Sequence, residues 1–325
     1  MAITSTQSLI IRKNANGAFY KGLQGVDGQA DMKQFATTFN TSGSAAEFGW
    51  FGSMPAVVAY TGAKQYKALN AFTDRVDPLE YELSVAFKET TFKDDQTGTA
   101  VTAGAGMVGR CNDHLNVLLT TFLENGIAGN SDTAFDGQFF FDDDHHGVTD
   151  AAHDNDLTGA AATGTDPTAA ELETAVGDLF EAVLGFVDDA SQPYIQDRSR
   201  FTVVVPTEYA KVASIVLGPN GTLGGGAPTG VVFNQESGVT GRVYGTPWMV
   251  NRHMSNADSV YLLGRPAGGD VGAFVVNMRL PWEFQTWDST NSEQCADARE
   301  VRMTSYARHG VGYGAWQAGC VYIFT

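Results

Sequence analysis

The change of periodicity along the chain constrains its fold most. Leu79, Tyr81, Leu83, Val85 and Phe87 occupy alternate positions, the pattern of a strand with one apolar face. Met107, Cys111, Leu115, Leu118, Leu119 and Phe122 then recur at helical spacing. Leu172, Val176, Leu179, Val183 and Val187 repeat that spacing, widened by Phe180 and Leu184. From Arg200 onward short apolar runs dominate: 201–206, 231–234, 243–251, 259–264, 273–277, 282–287 and the terminal stretch from Arg299. The sum of these signals predicts an α+β fold.

Local signals bound the elements. Thr168 followed three residues later by Glu171 is a capping box at the start of the second helix. Gly126 stands where the first helix would end in a C-terminal glycine, and Gly218 where a short helix after FTVVVP would stop. Residues 1–45 are polar and glycine-dotted, which predicts an extended arm with one helix near Ala30–Asn40. The segment LEYELSVAFKETTFK (79–93) reads as a strand in a projecting hairpin or long loop. Residues 127–167 read as loops around one short strand at Phe139–Phe141. No fixed-period repeat is present, so solenoids and propellers are excluded.

Composition removes several function classes. With 20 Lys+Arg against 37 Asp+Glu, the net charge of −17 leaves no broad basic surface for reading nucleic acid. No apolar run approaches the ~20 residues of a membrane helix, and the run near the start is too short for a secretory signal. The 3 cysteines, Cys111, Cys295 and Cys320, are far apart and read as reduced, buried thiols rather than a disulfide frame or zinc site.

Two segments resemble catalytic motifs. Gly104–Gly109 fits G-x-G-x-x-G at a helix start, but no second parallel strand with an acidic ribose ligand follows. Close packing of small residues at the helix start is the favoured alternative. Asp142, Asp143, Asp144, His145 and His146, with His153 and Asp154 beyond, carry metal-ligand chemistry. Five consecutive residues cannot all face one ion, so a solvated acidic turn is favoured. His114, His253 and His309 accompany no Ser or Cys nucleophile motif. Trp50, Trp248, Trp282, Trp287 and Trp316 read as core or subunit-contact residues. No catalytic, cofactor or metal residues are assigned on these grounds. An arm, a projecting segment, a long helix and two α+β bodies suit a subunit that assembles.

Four segments carry a resemblance. Trp50-Phe51-Gly52-Ser53-Met54-Pro55 matches a Trp-x-Gly-x-x-Pro segment. Tyr81, Leu83, Phe87, Glu89 and Thr91 followed by Asp94–Gly98 match a loop leading into a long helix. Phe135-Asp136-Gly137-Gln138-Phe139-Phe140-Phe141 with Asp142–His145 matches aromatic-Asp-Gly, a Phe pair and a His. Gly312-Tyr313-Gly314-Ala315-Trp316-Gln317 matches Gly-aromatic-Gly-x-Trp-Gln. Together they resemble the major capsid proteins of tailed bacteriophages, nearest the Mu-like major head subunits. The Trp-Gln stretch lies after the Val-Val-Pro strand here, an order similar to the wider Hong Kong 97-type capsid proteins.

That resemblance implies a Hong Kong 97-type fold with an N-terminal arm (1–50), an extended β loop (76–98) and a long spine helix (about 100–126). It implies a peripheral domain (51–75, 99–200 and 281–325) and an axial domain (201–280). It implies a non-enzymatic subunit forming hexamers and pentamers of an icosahedral head around double-stranded DNA, assembled in the bacterial cytoplasm and resident in the virion capsid. Expected partners are further copies, a portal protein, a separate scaffolding protein, a decoration protein and the packaged DNA, with no membrane and no cofactor. Expected inter-subunit contacts are Tyr81, Leu83, Val85, Phe87, Trp50, Gly224, Gly225 and Gly226. An encapsulin-like compartment and a metal-dependent enzyme using Asp142–His146 are the rival readings.

Overall fold

A computed structural model of the chain describes residues 13, 15–17, 19–21, 23, 31–43, 46–51, 71–94, 99–127, 133–145, 152–161, 166–187, 200–218, 247–266 and 271–325. The described residues between 13 and 23 form helix α1. A 3-10 turn at Met32–Phe35 leads into β1 (Ala36–Asn40). There follow β2 (Ala46–Phe51), β3 (Ala71–Val76), β4 (Leu79–Lys88), α2 (Glu89–Lys93) and α3 (Thr99–Asn125). Then come β5 (Asp156–Gly159), α4 (Ala169–Gly185), β6 (Phe201–Val205), α5 (Ala210–Val216), β7 (Trp248–Val250) and β8 (Ser259–Gly264). The chain closes with β9 (Phe274–Trp287), α6 (Glu293–Ala298), β10 (Glu300–Tyr313) and β11 (Gly319–Phe324). The mixture is α+β, as the sequence predicts.

A central sheet runs β1-β9-β10-β4. The alternating segment is therefore not a separate projecting hairpin. Residues 79–88 pair antiparallel with β10 from Leu79↔His309 to Lys88↔Glu300. The two short strands expected at 273–277 and 282–287 are one strand of 14 residues, β9, which passes through Pro281. Register shifts against β10 between Tyr306 and His309 absorb the proline, which cannot donate to a ladder. The helix expected near Ala30–Asn40 is a 3-10 turn followed by β1, which pairs parallel with β9 from Ala36↔Phe274 to Asn40↔Met278. Thr37, Thr38 and Phe39 favour that extended pairing. With Met32 and Phe35 fully buried and β1 paired with β9, residues 32–40 of the expected arm are integral to the body.

A second sheet runs β5-β11-β8-β6-β7. It contains β5 and the terminal β11, which the sequence reading placed with the other body, and β9 crosses the boundary drawn at residue 281. Long-range strand pairing, which no local signal encodes, redraws these limits. The expected strand at 231–234 lies outside the described residues. β2 and β3 form a separate antiparallel ladder from Ala46↔Val76 to Phe51↔Ala71.

The helices cover the sheets. Helix α3, 27 residues or roughly 40 Å long, starts earlier than its apolar stripe shows. The capping box is formed: the Thr168 backbone N–H donates to Glu171, and the Glu171 N–H donates to the Thr168 hydroxyl. Leu172, Val176, Leu179, Phe180 and Val183 are buried, whereas Leu184 is on the exposed side. Gly218 takes the expected positive φ, 73°. Gly126 does not; a Cβ there would come 3.1 Å from the Phe141 ring, so close packing explains it. Gly314 is explained by contact too, because its Cβ would meet the Gly272 carbonyl oxygen, a fixed backbone atom. The glycine of the matched Gly-aromatic-Gly-x-Trp-Gln stretch lets the end of β10 lie against the start of β9.

Candidate functional site

The segment 134–145 carries a dense set of polar bonds. Asp136 accepts a bond from the Gln138 N–H, and Gly137 turns the chain with φ of 88°. The turn sends Phe140 and Phe141 into the core, both fully buried. Phe140 stacks on Tyr313 and Phe274 of the central sheet, with centroids at 5.0 and 5.8 Å. Phe141 packs on Tyr261 of the second sheet at 5.5 Å. The pair is thus a wedge joining both sheets.

Polar groups hold that wedge. His145 is fully buried, with Nδ1 2.6 Å from Asp136 and Nε2 3.2 Å from the Phe140 carbonyl. Its ring lies flat on Trp316, centroids 4.3 Å apart and planes 6° apart. Asn155, also fully buried, donates to the Phe140 and Gly319 carbonyls at 2.9 and 3.1 Å. Its Oδ1 accepts from the Asp142 N–H at 2.8 Å. Backbone bonds between His145 and His153 close the loop.

This geometry replaces the metal-centre reading. Both His145 ring nitrogens are committed to oxygen acceptors, and an Asp142 oxygen accepts from the Asp144 N–H. His146 lies outside the described residues, and the described residues hold no cluster of three or more groups placed to bind a metal. Asp142, Asp143, Asp154 and Asp156 instead form an acidic rim. Burial first, then the neighbouring carboxylates, pushes Asp156 up to about 6. The solvated turn expected at Asp142–His146 is correct only for this rim.

The G-x-G-x-x-G segment lies inside α3, where helix bonding occupies the backbone, rather than at a strand–helix turn. Close packing does not explain it either: a Cβ at Gly106 or Gly109 would meet nothing within 4 Å. Both line an open polar cavity of about 680 Å3 with Lys33, Arg110, Asp113 and His253. There the His253 Nε2 lies 2.9 Å from Asp113.

The expected contact residues fall into two groups. Tyr81, Leu83, Val85 and Phe87 are half-buried against their own chain. The last three pack on a core of Phe19, Met107, Val108, Cys111, Phe284, Val301 and Met303, and Tyr81 lies on His114 and His309. The apolar face expected to meet a neighbouring subunit is partly covered by α1 and α3. Trp50 is in β2 opposite Phe72, and Gly224, Gly225 and Gly226 lie outside the described residues. Trp248 and Trp316 are buried and Trp287 is exposed on β9. Cys111, Cys295 and Cys320 are buried and form no disulfide. No described helix is long and apolar enough to cross a membrane.

A sheet backed by one long helix, a second five-stranded sheet and a separate two-stranded ladder make up a fold that aligns with phage capsid subunits. Among solved structures, a bacteriophage JBD30 procapsid subunit aligns over 99% of this chain and 76% of its own length, with a TM-score of 0.54 at 17% identity. The cyanophage P-SCSP1u capsid aligns over 93% and 90%, with a TM-score of 0.56 at 12% identity. The capsid of a native GTA particle aligns over 91% and 90%, with a TM-score of 0.52 at 13% identity. No curated protein sequence matches. The Mu-like prophage major head subunit gpT family model matches residues 9–171, and the chain belongs to that family. It is a structural capsid protein and not an enzyme.

Proposed function

We propose that this chain forms hexamers and pentamers of an icosahedral head that encloses double-stranded DNA, assembling in the bacterial cytoplasm. The observation that carries the reading is the agreement of fold along nearly the whole chain with a procapsid subunit, joined to the family match. The central sheet with α3 corresponds to the peripheral domain and the second sheet to the axial domain. The antiparallel pairing of 46–51 with 71–76 supports a further two-stranded projection beside the extended loop expected at 76–98. Tyr81, Leu83, Val85, Phe87, Trp50 and Gly224–Gly226 are the contact candidates of this reading. A portal, a decoration protein and a separate scaffolding protein are the partners of this reading. The charge of −17 fits a wall that repels packaged DNA.

An assembly trial tests the scaffold requirement. The chain expressed alone should give irregular or no particles, and co-expression with its scaffold should give shells of one size in sedimentation. Uniform closed shells from the chain alone would contradict a separate scaffold.

A further inference from the structure

The interface between α3 and the central sheet contains a polar group that the shell-forming reading does not use. His309 on β10 is 2% exposed, and neither of its ring nitrogens has a hydrogen-bond partner. Its ring stacks on Tyr81 of β4 at 4.6 Å, faces His114 of α3 at 5.3 Å and meets Trp282 of β9 at 6.0 Å. The His114 Nε2 is likewise buried without a partner. Three strands and the long helix therefore meet on the His309 ring, which no acceptor stabilises, beside a His114 whose Nε2 has none either. Such a box favours the neutral ring of His309. A proton on His309 would place a charge among aromatic faces beside a second imidazole.

The surroundings offer no compensation. The titratable groups facing His309 are Tyr81 from β4 and His114 from α3, while β9 presents the uncharged Trp282. The charges that act on it, His114 and Lys33 of the 3-10 turn, are both basic. Glu80 and Arg308 occupy the alternate positions of β4 and β10 and point to the other face of the sheet. Asp113, next to His114, is engaged by His253 and Arg252.

We propose that His309 and His114 form a proton-operated release that loosens α3 from β4 and β10 as the pH falls below neutral. Burial, followed by His114 and Lys33, pulls His309 down to about 4, which agrees with the geometry. The sign follows from linkage. An unfolded histidine takes its proton near pH 6.5 and the packed one near 4. The closed interface therefore loses stability between those values and loses no more below them. Separation of the helix hydrates both rings and uncovers the apolar faces of Leu83, Val85, Met107 and Cys111. The release is a property of the single chain and stands independently of shell formation.

Global stability is a poor readout, because the raised carboxyl of Asp156 gains stability as pH falls through 6 and opposes the histidine. Local hydrogen exchange of the unassembled full chain separates the two. At pH 5 against pH 7.5, after correction for intrinsic rates, the opening equilibrium of segments 79–88 and 107–119 should rise roughly 10- to 30-fold. In His309→Phe, which keeps the ring stack and takes no proton, it should rise less than about threefold. His309→Gln supplies the same comparison if the Phe variant does not fold. Opening in the wild type that is independent of pH would overturn the proposal. So would an equal pH response in the neutral variants.

Discussion

Replacing Phe140 with alanine should destabilise the chain by about 3–5 kcal/mol, the range for deleting a buried aromatic ring that neighbours cannot replace. The ring is fully buried and stacks on Phe274 and Tyr313, while a Cβ on Gly319 would approach it within 2.9 Å. Strands from both sheets thus close on it, and relaxation of one sheet into the cavity would pull it from the other. Urea denaturation followed by tryptophan fluorescence measures the loss. Phe140→Leu, which refills part of the volume, should recover half or more of it. A Phe140→Ala loss under about 1 kcal/mol would show that the wedge does not join the sheets.

Asp136→Ala should cost about 1–3 kcal/mol, because it leaves a buried polar ring without its partner. The His145 side chain is 0% exposed and that of Asp136 8%. The variant strips Nδ1 of its acceptor while Trp316 still holds the ring in place. A chelator added to the wild type should change nothing. Were the segment a metal centre, the chelator would reproduce the loss and added zinc would raise the melting temperature. Either result would restore the metal reading.

The elements legible in the sequence are those specified by near neighbours. Thr168 and Glu171 lie three positions apart and cap α4 as their chemistry dictates. Leu172 to Val183 show the buried stripe because helical periodicity reports burial directly. The alternation at Tyr81, Leu83, Val85 and Phe87 identifies a strand with one apolar face but not what covers that face. Part of the cover is α1 and α3 of the same chain, a long-range fact. Pro281 reads as a break, yet β9 continues through it because the register shifts against β10 accommodate it. The same limit explains Asn155, a lone polar residue in a loop-like stretch. Its partners stand at sequence separations of 13, 15 and 164, so nothing local marks it. His309 is hidden in the same way: its neighbours Tyr81, His114 and Trp282 come from three other elements. The matched motif around Asp136 and His145 was visible as a pattern, but its physical meaning required the geometry. It is a wedge and its brace, not a ligand set.

Electron cryo-microscopy of particles from cells expressing the chain with its scaffold tests the central claim most directly. The account predicts closed icosahedral shells with this subunit at fivefold and sixfold positions. Discrete monomers or small oligomers under all conditions, or open tubes and fibres, would contradict it.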